Sequence, residues 1–233
     1  MKILAITPAR GGSKRLPGKN IKNLNGKPLI QWTIDAALAV QEIARVMVTT
    51  DCDEIAEIAK QAGAEVPFIR PPELATDTSS STDVIRHALD FYRAEGEEFD
   101  FVLLLQPTSP IRSADDIRHA IEQLKAHTAD AVVSVCPCDH SPLWANTLPD
   151  DRSMADFIRH EVSQLRSQDL PDYYRINGAI YLTKVSRFYQ ENSLFLSSNI
   201  FAYVMNNESS VDIDHELDFL IAETVLKYRE QNA

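Results

Sequence analysis

Short apolar runs recur along this chain at a steady pace, and the stretches between them carry helical spacing. Ile3–Thr7, Val46–Thr50, Phe101–Leu105, Ala131–Val135, Gly178–Leu182 and Ile200–Met205 are each short and apolar enough to be buried strands. Helical patterns fill 29–40, 53–62, about 82–95 and the segment after Ser113. Such alternation restricts the chain to an α/β fold, a Rossmann-like and mostly parallel sheet with helices on both faces. Ligands collect at the carboxyl ends of the strands in that architecture. Arg10, Asp51, Arg70, Gln106 and the polar loop 77–82 all fall just after predicted strands, a further strand being expected near Glu65–Ile69. A short helix around Val185–Gln190 and a C-terminal helix from about His215 to Glu230 complete the pattern. Between Cys136 and Tyr174 the alternation lapses into Pro, Ser, Asp and Arg. We read 1–233 as a single domain with an inserted arm at about 136–174, and such excursions serve as lids or subunit contacts.

Charge is distributed against the average. The 233 residues carry 23 Lys and Arg against 34 Asp and Glu, a formal net charge of −11. Even placement would put about three bases and four acids in the first 27 residues. That segment instead holds Lys2, Arg10, Lys14, Arg15, Lys19, Lys22 and Lys27, and its first carboxylate comes only at Asp35. A basic segment on an acidic protein is a site for an anion or a solvated basic face, and the embedded loop chemistry favours the anion. Between the first strand and the first helix, Gly11, Gly12 and Gly18 let backbone N–H groups approach phosphate oxygens while Arg10, Lys14 and Lys19 supply charge. The loop is neither a Walker loop, since five residues separate Gly12 from Gly18, nor a GxGxxG fingerprint.

Other classes are excluded more simply. No run of about 18 apolar residues occurs, and the N-terminal apolar stretch is too short for a secretory leader. Cys52, Cys136 and Cys138 cannot build a disulfide framework or a zinc site at these spacings, so a cytoplasmic setting is expected. The basic segment lacks interleaved aromatics, which argues against nucleic acid.

At the other end of the chain, Asp212 and Asp214 stand two apart in an extended segment and share a side. The spacing suits one Mg²⁺ completed by substrate phosphates, and equally suits capping of the helix that follows. With a phosphate loop in the same chain the metal reading gains, because nucleotide chemistry needs a cation on the phosphates. Asp212 and His215 are the candidates for a general base.

Five segments, in order, resemble the N-acylneuraminate (sialic acid) cytidylyltransferases, the CMP-sialate synthetase family. They are Ala9–Asn20 (ARGGSKRLPGKN), Arg70–Leu74 with the Ser/Thr loop, Leu104–Arg112 (LLQPTSPIR), Asn177–Tyr181 (NGAIY) and Ser210–Asp214 (SVDID). The resemblance implies transfer of CMP from CTP to an anionic nine-carbon sugar acid. It implies that Arg10 and Lys19 sit on the CTP phosphates, that Ser13 and Asn20 shape the loop, and that Arg70, Ser79 and Ser81 address the cytidine. Gln106 and Asn177 would bond the sugar acid, Tyr181 and Phe195 would wall its pocket, and Asp212 and Asp214 would hold Mg²⁺. Arg166 resembles an arm arginine that approaches the active site, and the family implies a homodimer with the arm against its partner. Trp144 stands where some relatives carry a lysine for the sugar carboxylate, which leaves room for legionaminic, pseudaminic or another 2-keto-3-deoxy acid. A non-catalytic nucleotide-sugar-binding protein is the rival from another class.

Overall fold

The computed structural model describes residues 1–76 and 78–232. Six strands form the main sheet: β1 (Ile3–Pro8), β4 (Ile43–Thr49), β5 (Phe101–Leu104), β6 (Ala131–Pro137), β7 (Tyr174–Lys184) and β8 (Ile200–Val204). A small antiparallel hairpin of β2 (Asn23–Leu24) and β3 (Lys27–Pro28) stands apart. The sheet order is β4-β1-β5-β7-β6-β8, and only β7 runs against its neighbours. The other five strands therefore end at the same edge of the sheet.

Alternation along each strand divides the core. Ile3 and Ala5 of β1 and Leu103 of β5 point to one face, Leu4, Ile6, Val102 and Leu104 to the other. The first face is covered by α1 (Leu29–Leu38), α2 (Asp53–Gln61) and α4 (Ala114–Ala126), the second by α3 (Ser81–Ala94) and α5 (Val185–Glu191). On α4, Ile117, Ala120, Ile121 and Leu124 bury one stripe, and Ser113 with Asp116 closes a capping box at its start. Ser80 caps α3 by accepting from the Asp83 amide. The last helix, α6 (Glu216–Gln231), packs Phe219, Ala222 and Leu226 with Leu24 and Leu29 in a third cluster. Among the described residues no helix is long and apolar enough to cross a membrane.

One expected strand fails to form. Near Glu65–Ile69 there are only two bridges, Met47 to Glu65 and Thr50 to Ile69. Pro67 lies between them and has no N–H to continue a ladder. The segment linking β6 to β7 is irregular, with single 3-10 turns at Pro142–Trp144 and Ser167–Asp169. It leaves and returns at the sheet edge where the strands end.

Candidate active site

Three strand exits converge at that edge. The β1 exit carries Arg10 and the glycine loop, the β4 exit carries Asp51, and the β5 exit carries Gln106 and Thr108. Asp51 ties two of them together, since its Oδ1 accepts from the Gly11 amide at 3.0 Å and lies 3.6 Å from Arg70 Nη2. The Ile213 amide donates to the Thr108 carbonyl at 2.9 Å, joining two segments remote in sequence. That bond brings the Asp212–Asp214 segment onto the β5 loop.

Two cavities result, and Pro8 and Arg10 line both. The smaller, about 270 Å³, is bounded by Arg70, Thr76, Ser79 and Ser81. Arg70 is 4% exposed, yet its Nε and Nη2 have no hydrogen-bond partner. Burial pushes its guanidinium below the usual arginine range; Asp51 opposes this and the Arg10 charge adds to it. A buried donor left unpaired is costly, so these atoms mark where a ligand's acceptors belong. Ser79 shapes the loop, its hydroxyl accepting from the Thr76 amide and donating to the Glu73 carbonyl. Asp77, within the expected Ser/Thr loop, lies outside the described residues.

The larger cavity, about 550 Å³, has a basic wall and an acidic one. Ser13, Lys14, Arg15, Lys19 and Asn20 form the first, and Gln106, Thr108, Asp212 and Asp214 face them. Asn20 is buried, donates to the Arg10 carbonyl at 3.0 Å and thereby fixes the loop, while its Oδ1 is unpartnered. Lys19 Nζ donates to the Ile213 carbonyl at 2.6 Å and to Asp214 Oδ1 at 3.4 Å. Loss of solvation in the cavity wall pushes the Asp212 carboxyl up. The Thr108 hydroxyl opposes this, the Asp214 charge adds to it, and the Lys19 ammonium opposes it. Two carboxylates in one wall beside hard-oxygen phosphates are the donor chemistry of Mg²⁺. Among the described residues no group of three or more His, Cys, Asp or Glu gathers as a metal site. A metal here would thus depend on ligand oxygens.

Not every expected residue reaches the cavity. Asn177 is buried and its amide is fully engaged within the protein. Its Oδ1 accepts from the Ser134 hydroxyl and the Ala179 amide, and its Nδ2 donates to the Ser210 hydroxyl. It holds the β6–β7 bulge and the 210–214 segment together instead of lining the cavity. Tyr181 is buried with Phe195 edge-on at 5.7 Å. Neither lines the cavity, although burial, and then the Asp212 charge, push the Tyr181 phenol up. Arg166 lies on the arm, exposed and paired with Asp169 at 2.8 Å, and does not line the cavity of its own chain. His215 is exposed, its amide bonded to Asp218 at the start of α6; of the two candidate bases only Asp212 lines the cavity.

Other contributors were not singled out by sequence reasoning. Arg112 is buried beneath the β5 loop, where Nη1 donates to the carbonyls of Gln106, Ser109 and Ala179. Burial pushes its guanidinium down to about 10, which leaves it charged at neutral pH. Thr108 and Arg15 also line the cavity. The apolar strand running straight into Gln-Pro-Thr-Ser-Pro was the available signal for Thr108.

An α/β sheet whose strand ends gather a glycine-rich basic loop opposite paired carboxylates defines a nucleotidyltransferase. Residues 4–229 match the family described as Cytidylyltransferase, and the chain belongs to it. A CMP-N,N′-diacetyllegionaminic acid synthase of Legionella pneumophila is 41% identical over 99% of this chain and 99% of its own. An N-acylneuraminate cytidylyltransferase of Escherichia coli is 39% identical over 96% of this chain, which spans 52% of that longer protein. In fold, the chain is similar to a CMP:2-keto-3-deoxy-manno-octonic acid synthetase complexed with CTP. That likeness has a TM-score of 0.72 at 19% identity and covers 98% of this chain and 100% of the other. The function supported at this level is cytidylyl transfer to a sugar acid.

Proposed function

We propose that this protein transfers CMP from CTP to a nine-carbon sugar acid of the sialic type, releasing pyrophosphate. The observation that carries the reading is a cavity bounded by Arg70 and sharing Pro8 and Arg10 with the cation-lined cavity. The buried Nε and Nη2 of Arg70 have no hydrogen-bond partner, and among the described residues its charge is met only by Asp51 at 3.6 Å. Cytosine offers acceptors at O2 and N3 to such donors, with Ser79 and Ser81 beside it. The triphosphate then runs past Arg10 to Ser13, Lys14 and Lys19, whose charges and amides spread the phosphate charge. The sugar acid lies toward Gln106. Its anomeric hydroxyl forms the new bond to the α-phosphorus, the bond from the α-phosphorus to the bridging oxygen breaks with that oxygen leaving in pyrophosphate, and the hydroxyl proton passes to solvent water. Both substrates are anions, so the loop cations lower the repulsion that opposes their approach. Mg²⁺ held by Asp212 and Asp214 would neutralise phosphate oxygens and favour departure of pyrophosphate.

Two sugars compete for the specific reading. The motifs speak for N-acylneuraminate. The 41% identity to the Legionella protein over nearly all of both chains, with Trp144 in place of a cation, favours N,N′-diacetyllegionaminate. Incubation with CTP, Mg²⁺ and, separately, N-acetylneuraminic, legionaminic, pseudaminic and 3-deoxy-manno-octulosonic acids, with pyrophosphate and CMP-sugar quantified, decides between them. CTP binding without turnover of any acid would replace the enzyme with a nucleotide-sugar-binding protein.

We further infer a cytoplasmic homodimer joined through the arm. Supporting this, Leu148, Met154 and Leu165 on the arm and Tyr174, Ile176 and Val204 beside it are all exposed apolar side chains. In such a dimer Arg166 would serve the cavity of the other copy.

A further inference from the structure

Arg15 has no part in the proposed reaction, yet it makes the shorter of the two cation contacts to Asp214. Its Nη1 donates to Asp214 Oδ2 at 2.7 Å, while Lys19 Nζ lies 3.4 Å from Oδ1. Both oxygens of Asp214 therefore face cations of the phosphate loop. A guanidinium and a divalent cation cannot share this carboxylate comfortably, because they compete for the same lone pairs and repel each other.

The two loop cations differ in freedom. Lys19 has a side chain only 12% exposed and is anchored to the Ile213 carbonyl, whereas the Arg15 side chain is 65% exposed. Arg15 can therefore leave, and the chemistry that would attract it is a polyphosphate in the cavity it lines. We propose that Arg15 is a positioning residue that exchanges partners. It holds Asp214 until the triphosphate enters, then moves to the phosphate oxygens and releases Asp214 to the metal. Metal and nucleotide then bind as a coupled pair, each raising affinity for the other. The inference rests on the reading that Asp212 and Asp214 hold the metal.

The test is Mn²⁺ binding followed by electron paramagnetic resonance, with and without CTP and without sugar acid. An exposed ion pair of this kind corresponds to a factor of about two to five in affinity. Arg15→Gln is expected to bind Mn²⁺ alone more tightly by that factor, and the enhancement produced by CTP is expected to shrink. Lys22→Gln removes an equal charge, one paired with Glu216 outside both cavities, and is expected to change neither quantity. Equal gains in the two variants would reduce the effect to bulk charge and overturn the exchange. Unchanged Mn²⁺ binding in Arg15→Gln overturns it too. Asp214→Asn separates this failure from that of the metal reading. If that variant binds Mn²⁺ as the wild type does, the metal assignment fails and the exchange with it. If it loses Mn²⁺ while Arg15→Gln changes nothing, only the exchange fails.

Discussion

Gly178 and the Gln106 side chain contend for one volume: a Cβ at Gly178, where φ is +77°, would lie 2.7 Å from Gln106 Oε1. Gly178 belongs to a bulge of β7, where the register against β6 slips between Val133 and Val135. The bulge brings backbone close to the Gln106 amide, which lines the cavity. In Gly178→Ala the flexible amide yields first, so the main effect falls on the sugar acid. The positive φ adds a cost of about 1–2 kcal/mol. We expect a KM for the sugar acid raised several-fold, an unchanged KM for CTP, and a melting temperature a few degrees lower. A lower melting temperature with both KM values intact would remove Gln106 from the sugar site.

Base selection should reside in Arg70. Its free donors suit the N3 acceptor of cytosine and not the N3–H of uracil, so UTP leaves a buried donor facing a donor. Discrimination built on an unpaired buried polar group reaches about 10⁴-fold. Arg70→Met should lower kcat/KM for CTP by at least 10²-fold and narrow the preference for CTP over UTP, as competition kinetics with both nucleotides would report. A preference that survives the substitution would locate base recognition elsewhere.

Much of this arrangement is legible along the chain, and what is not has physical causes. Strands β1, β5 and the second half of β4 show because both faces of each are buried, which makes their sequences continuous apolar runs. The loop after β1 shows because its three glycines and its basic residues, with no carboxylate among them, suit an anion. The hairpin of β2 and β3 is also written locally, in Asn25-Gly26, whose two positive φ values suit a tight turn. Partnerships across the chain are not legible. Arg15 meets Asp214 from 199 residues away, and Asn177 turns inward because Ser134 and Ser210, remote in sequence, satisfy its amide. Residue type alone could not distinguish a buried Asn from one that meets a sugar.

Asp212 should show a conflict between stability and function. Its carboxyl is raised in the folded protein, so the native state holds this proton more tightly than the unfolded chain does. Stability contributed by the group is full below the unfolded value and is lost as pH rises through the folded one. Asp212→Asn removes that loss. The variant should melt above the wild type at pH 7, and the gap should close as pH falls through the raised value toward the ordinary aspartate range, while turnover is abolished at every pH. Calorimetry of both proteins across that range is the check; a variant less stable at pH 7 would mean that the carboxylate is held by favourable contacts.

The arm prediction turns on where Arg166 acts. Within one chain its guanidinium pairs with Asp169 and does not line the cavity, so we expect it to serve the cavity of another copy. Met154→Asp places a charge among exposed apolar arm residues and should convert the proposed dimer to monomer in analytical ultracentrifugation, with turnover falling in parallel. Met154 is exposed in its own chain, so the substitution removes no packed side chain from the folded subunit. Arg166→Ala should leave the dimer intact and lower kcat. Mixing Arg166→Ala with Asp212→Asn then distinguishes the geometries. If Arg166 serves the other copy, the mixed dimer contains one cavity with an intact Asp212 fed by an intact Arg166 and recovers part of the wild-type rate. If it acts in its own chain, every cavity in the mixture lacks one of the two and no recovery occurs.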